Sequence, residues 1–263
     1  MGTPVAVRVW EGQVMTVWRA WRTAVALSLL QPLIFLLGMG VGVGALVDDR
    51  AGTAGGGGAL GGLSYLQYLA PALLATAAMT TASFEASYPV LDGFKWRRTF
   101  ESMAATPIDA RAVVDGLMLW WMTRLAIGSV GVGLALLLIP STRGWGVLVA
   151  MVASILVGLA FAAPLAAWAA TRQQESSFPP IQRFIITPLF LFGGAFYPIE
   201  SLPDALHPIA WVTPLWHGVQ LCRDIVVGSV AAGDTVVHLA VLTAWIVAGY
   251  AACRITFARR IAT

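Results

Sequence analysis

From Trp145 to Ala170 the sequence contains no Asp, Glu, Lys, Arg or His. A helix of about 20 residues spans the hydrocarbon core of a bilayer. Some five or more windows reach about that length almost without charge. Of the 263 residues, 58% are apolar and 11% charged, and mean hydropathy is +0.78. Soluble domains carry roughly 25% charged residues, so this chain reads as an all-α integral membrane protein with about six transmembrane helices in a single domain, 1–263.

The periodicities and breaks divide it further. In residues 5–22, Val7, Trp10, Val14, Val17 and Trp21 recur at steps of three and four, with Arg8, Glu11, Arg19 and Arg22 on another face. That pattern predicts an interfacial amphipathic helix, its tryptophans suited to the headgroup layer; the plainer reading is a surface helix of a soluble domain. No short apolar stretch ends in a small-residue cleavage site, so no removable signal peptide is expected. A first span covers 24–47 and ends in Gly38, Gly40, Gly42 and Gly44. These match the small-xxx-small spacing that lets helix backbones approach in lipid, either between two copies or within one. Residues 52–62 form a glycine-rich stretch outside any strand-to-helix context, read as a flexible loop.

A second span runs over 65–90, with Glu85 near its end, followed by the charged stretch 92–111. There Thr106-Pro107-Ile108-Asp109 reads as a helix start, Thr capping and Pro in the first turn. The third helix reaches the lipid near Gly116 and ends before Pro140. The fourth runs from 145 to about 170, and after a polar connector the fifth covers 179–197. Four prolines, Pro198, Pro203, Pro208 and Pro214, then break the chain, so that 198–228 fits two short apolar helices better than one crossing. Asp234 is expected to cap a last span over 235–255.

Most of the sixteen Lys and Arg fall in the N-terminal segment, 92–111, 171–183 and the C-terminus, against Arg50, Arg143 and Arg223 in the opposite loops. The positive-inside bias makes both termini cytoplasmic.

Catalytic chemistry finds no foothold. There is no G-x-x-x-x-G-K-[ST] run, and the sole lysine, Lys95, follows no glycine-rich turn. His207, His217 and His238 lack zinc-ligand spacing, and Cys222 and Cys253 suggest neither a disulfide framework nor a metal site. Arg124 is the one charge well inside a span. Such a charge is often functional, although its long side chain can snorkel to the headgroups. Asp115 lies on the opposite face of the same helix, a poor partner.

The loop Phe100-Glu101-Ser102-Met103-Ala104-Ala105-Thr106-Pro107 resembles the corresponding region of permease subunits of type-2 ABC exporters. So does the run Leu191-Phe192-Gly193-Gly194-Ala195-Phe196-Tyr197-Pro198-Ile199, with Leu202-Pro203 and Pro208-Ile209-Ala210-Trp211-Val212-Thr213-Pro214-Leu215-Trp216-His217 after it. Within the family the chain looks closest to permeases for nodulation lipo-oligosaccharide export, with daunorubicin-type drug exporters next. The resemblance covers most of the chain; the glycine run at 52–62 departs from it.

The resemblance implies a bacterial inner-membrane exporter of an amphiphilic lipid or drug. Two permease copies, or this chain and a similar permease, would dock on two cytoplasmic ATPase subunits that carry the ATP and Mg, with no cofactor on this chain and no nucleic-acid partner. It implies that residues 5–22 and 92–106 meet the ATPase and that 198–221 forms short re-entrant helices. Arg97, Arg98, Glu101, Thr106 and Pro107 then become candidates for ATPase coupling, Glu101 being otherwise a solvated charge. Phe196, Tyr197, Pro198, Trp211, Pro214 and Trp216 become candidates for the outer end of the exit path, or packing residues there. An ion-coupled secondary transporter and a membrane-embedded enzyme or scaffold are the alternatives; the spans hold few ionisable ligands for the first, and no catalytic constellation supports the second.

Overall fold

The computed structural model describes residues 4–18, 30, 33–44, 60 and 62–262, and every described element is helical. α1 is Val5–Trp18. α2, Leu36–Val43, is wound as a π-helix. α3 is Tyr65–Glu85, followed by the short α4, Tyr88–Lys95, and α5, Thr99–Ala104. α6 is Ala110–Leu138 and α7 is Trp145–Ala169. α8 is a helical run over 178–192 whose middle, Gln182–Ile186, is π-wound. Two helices, α9 at His207–Val212 and α10 at Pro214–Val227, precede α11, Ala232–Ile261. Most of the first span and the glycine run, like Arg19, Trp21 and Arg22 of the interfacial helix, lie outside the described residues.

α7 is the hub, with α3, α6, α10 and α11 all packed on it. In lipid there is little hydrophobic drive between helices, so small residues and close backbone approach decide which surfaces meet. α7 offers Ala150, Ala153, Gly158, Ala160, Ala162, Ala163 and Ala166. A Cβ at Gly146 would fall 2.3 Å from the Ile225 carbonyl oxygen of α10, and one at Gly249 of α11 would fall 2.5 Å from Pro164 of α7. Polar bonds add to this: the Ser129 hydroxyl donates to the Met151 carbonyl at 2.9 Å and is also hydrogen-bonded to Ser154, tying α6 to α7.

Several boundaries differ from the sequence-based expectation. α3 ends at Glu85 and the chain bends through Ala86 and Ser87 before α4, so the second span is shorter than 65–90. Its start is fixed by a capping box in which Ser64 and Gln67 exchange bonds. α6 starts at Ala110, not at Pro107. Asp109 is the cap, its carboxylate accepting from the Ala112 N–H at 2.9 Å, while the Thr106 hydroxyl donates backward to the Met103 carbonyl at 2.6 Å. An ionised carboxylate is the better acceptor for the exposed donors at the positive end of the helix. Asp234 lies in the first turn of α11 rather than at its cap, and that helix continues to Ile261.

The fold has two ends. One, the charged end, carries α4, α5, the 171–177 connector and the last turn of α11. The opposite end carries the α6–α7 turn and the broken segment between α8 and α10.

Candidate functional site

At the charged end, the chain between α4 and α5 turns at Arg98, which takes the left-handed conformation (φ 47°). That conformation costs a non-glycine residue roughly 1–2 kcal/mol, so something must hold it. Phe100, two residues on, is buried between Phe94 and Phe257, ring centroids 4.8 and 5.6 Å away. Gly93 leaves the room: a Cβ there would fall 2.3 Å from the Phe100 ring. The α4–α5 hairpin is thereby fastened to the last turns of α11. Arg260, one turn beyond Phe257, lies over the Phe94 ring and donates to the carbonyls of Ala170 (2.7 Å) and Arg172 (2.6 Å), where α7 ends. A cation on the last carbonyls of a helix is favourable. The hairpin, α11 and the hub helix therefore form one linked unit.

A recess of about 410 Å³ opens beside this unit, lined by Lys95, Arg98, Glu101, Gln173, Gln174 and Arg260 with Phe94. Of the five residues expected to couple to an ATPase, Arg98 and Glu101 face it. Arg97 instead pairs with Asp92 at 2.9 Å, and Thr106 and Pro107 lie beyond it, before the α6 cap. The Arg98–Glu101 pair is loose, at 3.8 Å, and both side chains are exposed.

α1 packs along α6. Its buried centre is Val9, a residue outside the stripe read from periodicity; of that stripe Trp10 and Val14 pack against the core, and Val7 is only half-buried. The Trp10 indole N–H donates to the Thr123 hydroxyl at 2.9 Å, and Gly116 admits Val9, whose Cβ would lie 2.5 Å from any added methyl.

One residue further along α6, Arg124 meets Glu85 of α3 at 2.9 Å, both side chains mostly buried, and the Trp120 indole N–H donates to the other carboxylate oxygen at 3.3 Å. Arg124 is thus held by an interhelical partner instead of reaching to the headgroups. Glu85 and Arg124 were both legible as charges near or within spans; their pairing was not.

At the opposite end, α8 stops at Phe192, and Gly194 takes φ +77°, a conformation that glycine adopts without strain. The Gly194 carbonyl accepts from the Tyr68 hydroxyl (3.2 Å) and from Arg223 (2.8 Å). Arg223 also donates to the Tyr68 carbonyl at 3.2 Å and stacks on the Tyr68 ring, 3.6 Å from its centroid. Counted from sequence among the loop charges, Arg223 is instead a buried residue of α10. It supplies the donors that the open carbonyls of the break require.

The six candidate exit residues do not share one surface. Phe196 is buried against Phe190 and Phe35, and Pro214 is buried at the start of α10. Tyr197 and Pro198 are half-buried. Trp216 lies against Gly194 and edge-on to His217 and His238. Trp211 is the exposed one, at 53%. The two histidines, unremarked as a pair in the sequence, are buried with their Nδ1 atoms 2.8 Å apart. His217 Nε2 lies 2.7 Å from the Trp211 carbonyl and donates to it; in a neutral His217 ring Nδ1 is then left to accept from His238 Nδ1–H. The pair joins α10 to α11.

The glycines of α2, with Gly44 just past its end, divide. A Cβ at Gly40 would fall 2.6 Å from Leu66 and one at Gly44 3.5 Å from Tyr65, so that face packs on α3. Among the described residues nothing approaches Gly38 or Gly42.

Among the described residues three helices, Ala110–Leu138, Trp145–Ala169 and Ala232–Ile261, are long and apolar enough to cross a membrane. The fold and its two ends define a helical membrane protein with a braced charged hairpin and a broken segment opposite. The chain belongs to the ABC-2 type transporter family, which its residues 6–227 match. It is 31% identical to Nodulation protein J of Rhizobium leguminosarum bv. viciae over 255 residues, 94% of each chain. To Nodulation protein J of Rhizobium leguminosarum bv. trifolii it is 33% identical, covering 89% of this chain and 88% of the relative. To the inner membrane transport permease YadH of Escherichia coli (strain K12) it is 24% identical, covering 93% and 91%. No solved structure matches it.

Proposed function

We propose that this chain is the membrane-spanning subunit of an ATP-driven exporter in the bacterial inner membrane, moving an amphiphilic glycolipid, lipid-linked or drug-like molecule outward. Six crossings, formed by 24–47, α3, α6, α7, α8 and α11, put both termini in the cytoplasm, and two copies work with two ATPase subunits that hold ATP and Mg. The observation that carries this reading is the braced recess. Arg98 and Glu101 present polar groups to a partner on a hairpin that cannot move without α11 and α7, because Phe94, Phe100, Phe257 and Arg260 tie the three together. A push delivered there reaches the membrane helices directly, whereas a free loop would absorb it. The amphiphile would leave past the broken segment, where Trp211 is exposed.

The test is energetic. Purified alone, the chain should show no saturable magnesium-dependent ATP binding, and liposomes containing it alone should not transport. With the ATPase from a neighbouring reading frame, both hydrolysis and transport should appear. ATP binding or transport by the lone chain would overturn the proposal.

A further inference from the structure

α6 and α11 run side by side in opposite directions, and their outer faces leave a groove of about 420 Å³ lined by Asp115, Met118, Leu119, Ile246, Val247 and Tyr250. The floor is apolar except at one level, where the Tyr250 hydroxyl donates to the Asp115 carboxylate. Each helix carries an arginine one turn further toward the charged end. Arg111 precedes Asp115 by four residues, and Arg254 follows Tyr250 by four. At about 1.5 Å per residue the Cα atoms of the two arginines come to the same level, roughly 6 Å nearer the charged end than those of Asp115 and Tyr250. Steps of three and four keep each on the face of its helix that forms the groove.

Neither arginine forms an ion pair among the described residues. The ion pairs there are those of Arg97, Arg98 and Arg124, and Arg254 only flanks the Tyr250 ring, 5.2 Å from its centroid. Elsewhere the fold ties its interior charges down, as at Arg124, Arg223 and Arg260. Two cations with no ion-pair partner among the described residues, at the rim of an apolar groove, match a molecule with an anionic head and a hydrocarbon tail. Asp115 offsets part of their charge, but one of its carboxylate oxygens accepts from the Tyr250 hydroxyl, and it lies a turn further from the charged end.

We propose that this groove binds an anionic phospholipid of the cytoplasmic leaflet, its phosphate between Arg111 and Arg254 and an acyl chain along Met118, Leu119, Ile246 and Val247. The leaflet rests on the orientation proposed above; the binding itself does not need transport. A lipid seated there would brace α6 against α11, the two helices that carry the ATPase-facing hairpin and its aromatic anchor.

The full chain, purified in detergent, is titrated with phosphatidylglycerol and phosphatidylcholine of identical acyl chains, and retained lipid is counted by native mass spectrometry. Phosphatidylglycerol should be retained at roughly tenfold lower concentration or better, as two arginines at a headgroup warrant. The pair Arg111→Gln with Arg254→Gln should abolish the preference, and the pair Arg111→Lys with Arg254→Lys should preserve it. Val247→Trp, filling the groove with the charges intact, should remove retention of both lipids. Equal retention of the two lipids by the unaltered chain, a preference that survives the glutamine pair or is lost in the lysine pair, unchanged retention in Val247→Trp, or displacement by free glycerol phosphate at matched concentration would each overturn the proposal. Thiol labelling at Ser229→Cys and Arg98→Cys decides the orientation separately, and the exporter reading stands or falls on ATP, which this experiment never uses.

Discussion

The Arg124 guanidinium lies 2.9 Å from the Glu85 carboxylate, linking the charged-end half of α6 to the last residue of α3. Removing one member of a buried pair strands the other, at a cost of about 3 kcal/mol or more. Glu85→Ala and Arg124→Ala should each lower the denaturation midpoint of the detergent-solubilised chain, and the double variant should lose much less than the sum of the two single losses. A double variant that simply adds them would mean that the two charges are not coupled.

Glu101 faces the recess with an exposed side chain, and its contact with Arg98 is long, so it contributes at most about 1 kcal/mol to folding. Glu101→Arg should therefore leave the protein at its normal level in the membrane while separating ATP hydrolysis from export in the assembled complex. Phe257→Ala is the contrasting change. It empties a fully buried site against Phe94 and Phe100, at a cost of about 3–5 kcal/mol, and should reduce the amount of folded protein itself. Normal export and hydrolysis by Glu101→Arg would reduce that residue to a solvated charge.

The two tryptophans of the broken segment should behave differently. Trp211 is exposed, and Trp211→Ala is expected to change stability by no more than about 0.5 kcal/mol while lowering export. Trp216 packs on Gly194 and the histidine pair, and Trp216→Ala should lower thermal stability and export together. Unimpaired export by Trp211→Ala would remove that residue from the exit path.

The glycines of α2 permit a similar separation. Gly40→Leu drives a side chain into Leu66 and should destabilise the single chain by about 1–3 kcal/mol. Gly38→Leu and Gly42→Leu meet nothing among the described residues; if two copies associate there, they should leave chain stability intact and abolish cross-linking between copies. Cross-linking that persists in both would move the contact between copies elsewhere.

What the sequence determined by itself is what depends on neighbours along the chain. The turn between α6 and α7, the start of α10 at Pro214 and the inability of 198–228 to form one crossing follow from charge-free length and from where proline and glycine fall. Misplaced starts such as a cap at Thr106 in place of Asp109 were errors of about three residues within the same local logic. The tertiary structure decided which side chains meet. Glu85 and Arg124 are 39 residues apart, Tyr68 and Arg223 are 155 apart, and Phe94 and Phe257 are 163 apart. Nothing in hydropathy distinguishes one apolar helix face from another, because in lipid all such faces are equally well solvated. Pairing is chosen instead by where backbones can approach closely, at Gly93, Gly146 and Gly249, and by which polar groups that approach leaves in need of a partner.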